Sequence, residues 1–140
     1  MFPPAELIES PLLGAFTLLF ALFIGHALAD YGLQTAFISR AKARKADLQD
    51  FFGQRPPRGV WLQVLTAHCF LHAGAVWFIT GSVFYGAVEF LLHWVIDYLK
   101  GRNLIGFHLD QLLHYGCKVF YVVAIVVFGL HESCLRITFD

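Results

Sequence analysis

Apolar positions along this chain fall into long blocks, and the polar residues inside them recur every four positions rather than every two. A four-residue rhythm belongs to helices and an alternation to strands, so the pattern predicts an all-α chain. Residues 10–29 contain no Asp, Glu, Lys or Arg, and neither do residues 59–88 or 119–131. About 20 apolar residues suffice to cross a hydrocarbon core of roughly 30 Å. Four membrane helices are therefore expected, at about 11–38, 59–80, 83–99 and 110–130. Thr80, Gly81 and Ser82 leave room only for a tight turn, so the second and third spans should form a hairpin. The third is the least apolar, because Glu89, His93 and Asp97 interrupt it. The expected architecture is an integral membrane bundle of four transmembrane helices in antiparallel up-down order, forming one membrane domain over residues 1–140. No internal repeat, low-complexity segment or second domain is visible. Met1 to Ser10 has two glutamates and no Lys or Arg, which argues against a cleaved signal peptide with its basic leading region.

Composition agrees. Hydrophobic residues make up 58% of the chain and charged residues 14%, with a mean hydropathy of +0.63. An ordinary soluble domain carries about 25% charged residues, so too few remain here to cover a water-facing surface. Fifteen phenylalanines exclude a disordered chain. Ten basic residues balance ten acidic ones, and no basic excess suggests a nucleic-acid partner. Cys69, Cys117 and Cys134 are too few and too scattered for a disulfide framework; Cys69 and Cys117 read as packing residues.

Orientation follows from the basic residues. Arg40, Lys42, Arg44, Lys45, Arg55 and Arg58 lie between the first two spans, and Lys100 and Arg102 between the last two. These loops should face the cytoplasm, with residues 39–58 as the main cytoplasmic loop. Both termini would then lie on the outer, periplasmic side, with Glu6 and Glu9 at one end and Arg136 at the other. Within that loop, Phe51 and Phe52 among charges suggest a short amphipathic helix along the interface, stopped by Pro56 and Pro57.

The informative residues are the polar ones inside the spans, since an ionisable group in a bilayer is costly unless paired and marks a functional site by default. The first span has His26, Asp30 and Gln34, and the second His68 and His72. The third has Glu89, His93 and Asp97, and the fourth Asp110, His114 and Lys118. Spacing of four lines one helix face in each case. In the first and third spans these residues sit toward the C-terminal end, and in the second and fourth toward the N-terminal end. Alternating helix direction thus places all of them in one half of the membrane, roughly 5–20 Å from the helix ends on the side of the basic loops. One polar chamber near the cytoplasmic face is expected.

Inward-facing His and carboxylates on bundle helices are how helical proteins hold metals. The candidate shell is five histidines (His26, His68, His72, His93, His114) and three aspartates (Asp30, Asp97, Asp110), more than one four-coordinate ion needs, so either two ions share it or some of these residues orient the ligands; the foremost ligands are His26, His68, His72, His93, Asp110 and His114. Asp30 and Asp97 are candidates for a general base, or for orienting a ligating imidazole. Mixed nitrogen and oxygen donors suit Zn, Mn or Fe better than a thiolate-seeking metal. The zinc-protease helix motif does not match, because Cys69 stands where its glutamate would be. Gln34 and Gln111 read as network donors, Glu89 as a partner for Lys118, and His131 as an interhelical hydrogen-bonder. His108 is placed in the loop before the fourth span.

The motifs His26-Ala-Leu-Ala-Asp30-Tyr-Gly-Leu-Gln34, His68-Cys-Phe-Leu-His72, His93-Trp-Val-Ile-Asp97-Tyr-Leu-Lys100 and Asp110-Gln111-Leu-Leu-His114, in that order, resemble the small bacterial membrane proteins grouped as domain of unknown function 3307. The resemblance covers about residues 15–125 and implies a protein of the bacterial inner membrane, without implying an activity. A looser similarity to membrane-bound metal-dependent hydrolases is one of analogy.

Three functions compete on sequence alone. The first is a metal-dependent hydrolase of a lipid or phosphoester, with the basic loops attracting an anionic head group. The second is an iron redox enzyme or haem protein, which the small number of histidines and the crowding carboxylates disfavour. The third is a non-enzymatic accessory subunit of a larger membrane complex, or a homo-oligomer, whose polar residues form a structural network. Conduction is disfavoured, since the outer halves of the first two spans have no ionisable residue. Membrane lipids are the expected surroundings in every case.

Overall fold

In a computed structural model of the chain, which describes residues 11–128, every regular element is helical. Helix α1 is Pro11–Ala27 and runs on through a π-helical turn, Leu28–Gly32. Two short helices follow, α2 at Ala36–Ala41 and α3 at Gln49–Phe52. Three long ones complete the described chain: α4 at Val60–Thr80, α5 at Val83–Gly101 and α6 at Phe107–Phe128. The long helices touch in a ring, α1 against α4 and α6, and α5 against the same two.

Among the described residues, three segments are long and apolar enough to cross a membrane: Pro11–Gly32, Val60–Thr80 and Phe107–Val127. Helix α5 falls short on composition, because Glu89, Asp97 and Lys100 share its 19 residues.

Local chemistry explains the boundaries. Gly81 ends α4 in the left-handed conformation (φ 69°), its N–H donating to the Trp77 carbonyl at 2.8 Å. A β-carbon there would be strained, which is why glycine makes this turn. Helices α4 and α5 then lie close together: a Cβ on Gly86 would come within 3.0 Å of both the Ala73 carbonyl oxygen and the Trp77 Cβ.

Some boundaries differ from the sequence expectation. The first span does not continue to Ile38. Thr35 caps α2 by accepting from the Ile38 N–H at 3.3 Å, so the chain breaks after Gly32 and α2 turns back against α4. The expected amphipathic helix in the 39–58 loop is the single turn α3, and Gly53 (φ 63°) stops it before the prolines. Helix α6 begins at Phe107, so His108 is on its first turn, exposed, and not in a loop. The expectations for Glu6, Glu9, His131, Cys134, Arg136, the two termini and the end of the last span at Leu130 fall outside the described residues.

The interior has two zones. Leu22, Val76, Tyr85, Tyr121, Val122, Ala124 and Ile125 form an apolar cluster. One helical turn away the same helices bury His26, His72, Glu89 and Lys118.

Candidate metal centre

Every long helix contributes to the polar zone. Helix α1 brings His26 and the π-helical turn Asp30; α4 brings His68 and His72; α5 brings Glu89, His93 and Asp97; α6 brings Asp110, His114 and Lys118. The five imidazoles are at most 2% exposed. In the π-helical turn the Leu33 N–H reaches back five residues to the Leu28 carbonyl at 2.8 Å. That widening sits at Asp30, as such turns often do at functional positions. The Asp30 carbonyl accepts from Gln34 Nε2 at 3.0 Å, so Gln34 caps the turn from the break rather than extending a helix face.

Two carboxylates organise the imidazoles. Asp30 Oδ1 lies 3.2 Å from His68 Nε2 and 3.4 Å from His72 Nε2, and its Oδ2 lies 3.6 Å from His26 Nε2. Asp97 Oδ2 stands 3.5 Å from His68 Nε2 and 3.6 Å from His93 Nε2, and its Oδ1 stands 3.5 Å from His114 Nε2. Asp110 Oδ1 is 3.6 Å from His114 Nε2. The His72 and His93 rings stack at 3.7 Å between centroids, and His93 and His114 at 4.1 Å.

These approaches are close but not aligned as hydrogen bonds. Both nitrogens of His26, His68 and His72 are buried without a hydrogen-bond partner, as are Nε2 of His93 and His114 and Oδ1 of Asp30 and Asp110. Leaving a buried polar atom in that condition costs about 1–3 kcal/mol, so a concentration of them implies that something else satisfies their lone pairs. Around a four-coordinate ion with bonds of about 2.0–2.1 Å, ligand atoms stand roughly 3.3–3.4 Å apart, near the 3.2–3.6 Å separations found here. Asp30, His68, His72 and His93 offer ligand atoms all within 4.8 Å of one another, and so do His93, Asp97 and His114. This buried cluster can hold a metal ion. The two groups contain Asp30 and Asp97, which the sequence reading admits to the candidate shell but favours as general bases. They leave out His26 and Asp110, which it enlists as ligands. His93 belongs to both, but its Nδ1 lies 3.2 Å from Glu89 Oε1. Only Nε2 remains, and one lone pair serves one ion at a time.

Residues 18–139 match the family described as protein of unknown function (DUF3307). The chain belongs to that family. Among curated proteins and solved structures it matches none. The four motifs that carry the family resemblance are the ones the helices bring together.

In this family member, sequence reasoning misses three residues at the site. Lys42 Nζ donates to Asp97 Oδ2 at 2.8 Å, and Lys100 Nζ to Asp110 Oδ2 at 2.7 Å. From sequence, Lys42 reads only as a marker of orientation, and Lys100 as that and as the last residue of the third motif. Lys100 lies three residues from Asp97 on the same helix, a spacing that hinted at the site; nothing near Lys42 did. Tyr121 Oη donates to Glu89 Oε2 at 2.9 Å, beside the Lys118 Nζ to Glu89 Oε1 bond at 2.6 Å. Gln111 Nε2 bridges Asp30 Oδ2 and Asp110 Oδ2, each at 3.2 Å. A cavity of about 470 Å³ opens above these groups, with Asp30, Asp97, Asp110, Lys42, Lys100 and Gln111 in its wall.

Proposed function

We propose that this is a protein of the bacterial inner membrane with four spanning helices in up-down order, α5 being the fourth. Its basic loops face the cytoplasm and a divalent ion, Zn, Mn or Fe, sits in the polar chamber. The charges of α5 support its inclusion, because Glu89, His93 and Asp97 are buried against the other helices and not turned to lipid. Asp30, His68, His72 and His93 are the best ligand set, with Asp97 and His114 adjoining. His26 and Asp110 would orient Asp30 and His114.

The observation that carries this reading is the convergence of buried, unbonded imidazole and carboxylate atoms at the separations a metal imposes. A metal there would supply an activated water at neutral pH and polarise an ester. The reaction that fits is hydrolysis of a lipid or phosphoester: the water oxygen bonds to the phosphorus or acyl carbon, and the ester oxygen departs with the proton. Asp97, at the cavity wall, would take that proton in transit.

Elemental analysis of the purified protein tests the proposal. About one Zn, Mn or Fe per chain is expected, falling below a tenth of that in His68→Ala/His72→Ala. Chelation should lower the thermal midpoint of the wild type and leave that variant's unchanged. Metal-free protein with full stability would instead favour an accessory subunit with a structural polar network. The lysine–carboxylate pairs at the chamber mouth are the feature that favours that second reading.

A further inference from the structure

The cavity above the cluster has its own chemistry. Lys42, Lys45 and Lys100 line it together with Asp30, Asp97 and Asp110. At their formal charges these six groups cancel. Resting on the metal reading above, a divalent ion below them leaves the chamber with two uncompensated positive charges. Lys45 is exposed and its charge is solvated, but Lys42 and Lys100 are only part-exposed beside the buried cluster, so an ion below them makes an anion the favoured occupant of the cavity.

The donors select among anions. Each ammonium has three N–H groups, and the described carboxylate bond takes one from Lys42 and one from Lys100. Both head groups therefore keep donors for a ligand, at points held in place by Asp97 and Asp110. Two ammonium groups and a metal ask for three oxygens and two negative charges. A phosphate monoester has three non-ester oxygens and carries that charge; a carboxylate has two oxygens and one charge. The rim is apolar as well as cationic. Phe107 is exposed beneath the Lys100 ammonium, 4.9 Å from ring centroid to Nζ, and Tyr31 is exposed beside Asp30.

We propose that this cavity is a phosphate-ester subsite, with Lys42 and Lys100 as its binding residues and Lys45 adding long-range attraction. An acyl chain attached to the phosphate would lie along Tyr31 and Phe107.

The test uses the full chain, loaded with Zn or Mn, in phosphatidylcholine nanodiscs with radiolabelled inorganic phosphate as probe. Saturable phosphate binding is expected, weakened at least tenfold in Lys42→Gln/Lys100→Gln with metal content unchanged, and retained in Lys42→Arg/Lys100→Arg. Adding phosphatidic acid to the discs separates the sources. Displacement of the label assigns the site to a lipid head group, and undiminished binding assigns it to free phosphate; either supports the subsite. If the double glutamine variant does not fold, Lys45→Gln replaces it, since Lys45 is in none of the described ion pairs. A weakening of at least threefold is then expected. Metal-loaded protein that binds no phosphate, or variants that bind it as well as the wild type, overturns this inference and leaves the metal reading standing. Absence of metal overturns both.

Discussion

The two ends of the same helix faces solve different physical problems. Leu22 and His26 stand four residues apart on α1, Val76 and His72 on α4, and Tyr85 and Glu89 on α5; Tyr121 and Lys118 are three apart on α6. Each face passes within one turn from apolar to ionisable. With the helices in a membrane, as proposed above, burial at the apolar end would gain little over lipid, which is as apolar as the core, and the helices would associate there by shape and dispersion. At the polar end, each side chain must find a partner on another helix, and few arrangements satisfy them all. The Glu89–Lys118 pair, with Tyr121, marks the boundary and belongs to both ends. The comparison teaches that the apolar end tolerates the fold whereas the polar end specifies it.

Breaking the boundary pair should have the largest effect. Lys118→Ala leaves Glu89 as an uncompensated buried charge and should cost about 3–5 kcal/mol, read as a shift in detergent unfolding. Glu89→Leu/Lys118→Met, which removes both charges, should cost less than either single change if the boundary is electrostatic. A boundary held by shape alone would give the reverse order. Next comes the apolar end. Leu22→Ala should cost about 2 kcal/mol, the low end for such truncations because lipid competes with the core. It should leave metal content unaltered by elemental analysis; loss of metal would show that the two ends are not separable. Tyr121→Phe removes one hydrogen bond to a charged group and should cost about 1.5 kcal/mol in the same unfolding assay. The smallest effect belongs outside both zones. Arg40 and Asp50 pair at 3.0 Å with side chains 44% and 73% exposed, and Arg40→Ala should cost under about 1 kcal/mol.

Much of the site was legible because helical spacing is a local property. His26, His68, His72, His93 and His114, together with their aspartates, could be assigned to inward faces from the four-residue rhythm, and they do converge. The Glu89–Lys118 pairing was legible for the same reason. The roles of Lys42 and Lys100 were not: Lys42 reaches the site because the chain breaks at Leu33 to Thr35 and α2 turns back against α4, and Lys100, on α5, because the short loop before α6 brings Asp110 within its reach. Gln34 was placed on a helix face that the π-helical turn ends.

The sequence by itself determined that the chain is helical and rich in apolar segments, which residues face inward, and the family to which it belongs. These follow from composition, periodicity and motif order, none of which needs a third dimension. The packing of the helices settles which carboxylate sits among which imidazoles, that Asp30 and Asp97 fall within the metal-capable groups while His26 and Asp110 stand beside them, and that Lys42, just past α2, and Lys100, near the end of α5, reach the chamber. Those outcomes depend on the rotation of each helix about its axis and on differences of a few tenths of an ångström in the contacts between residues up to 81 positions apart. Such quantities are fixed when the helices meet and their polar groups compete for one another.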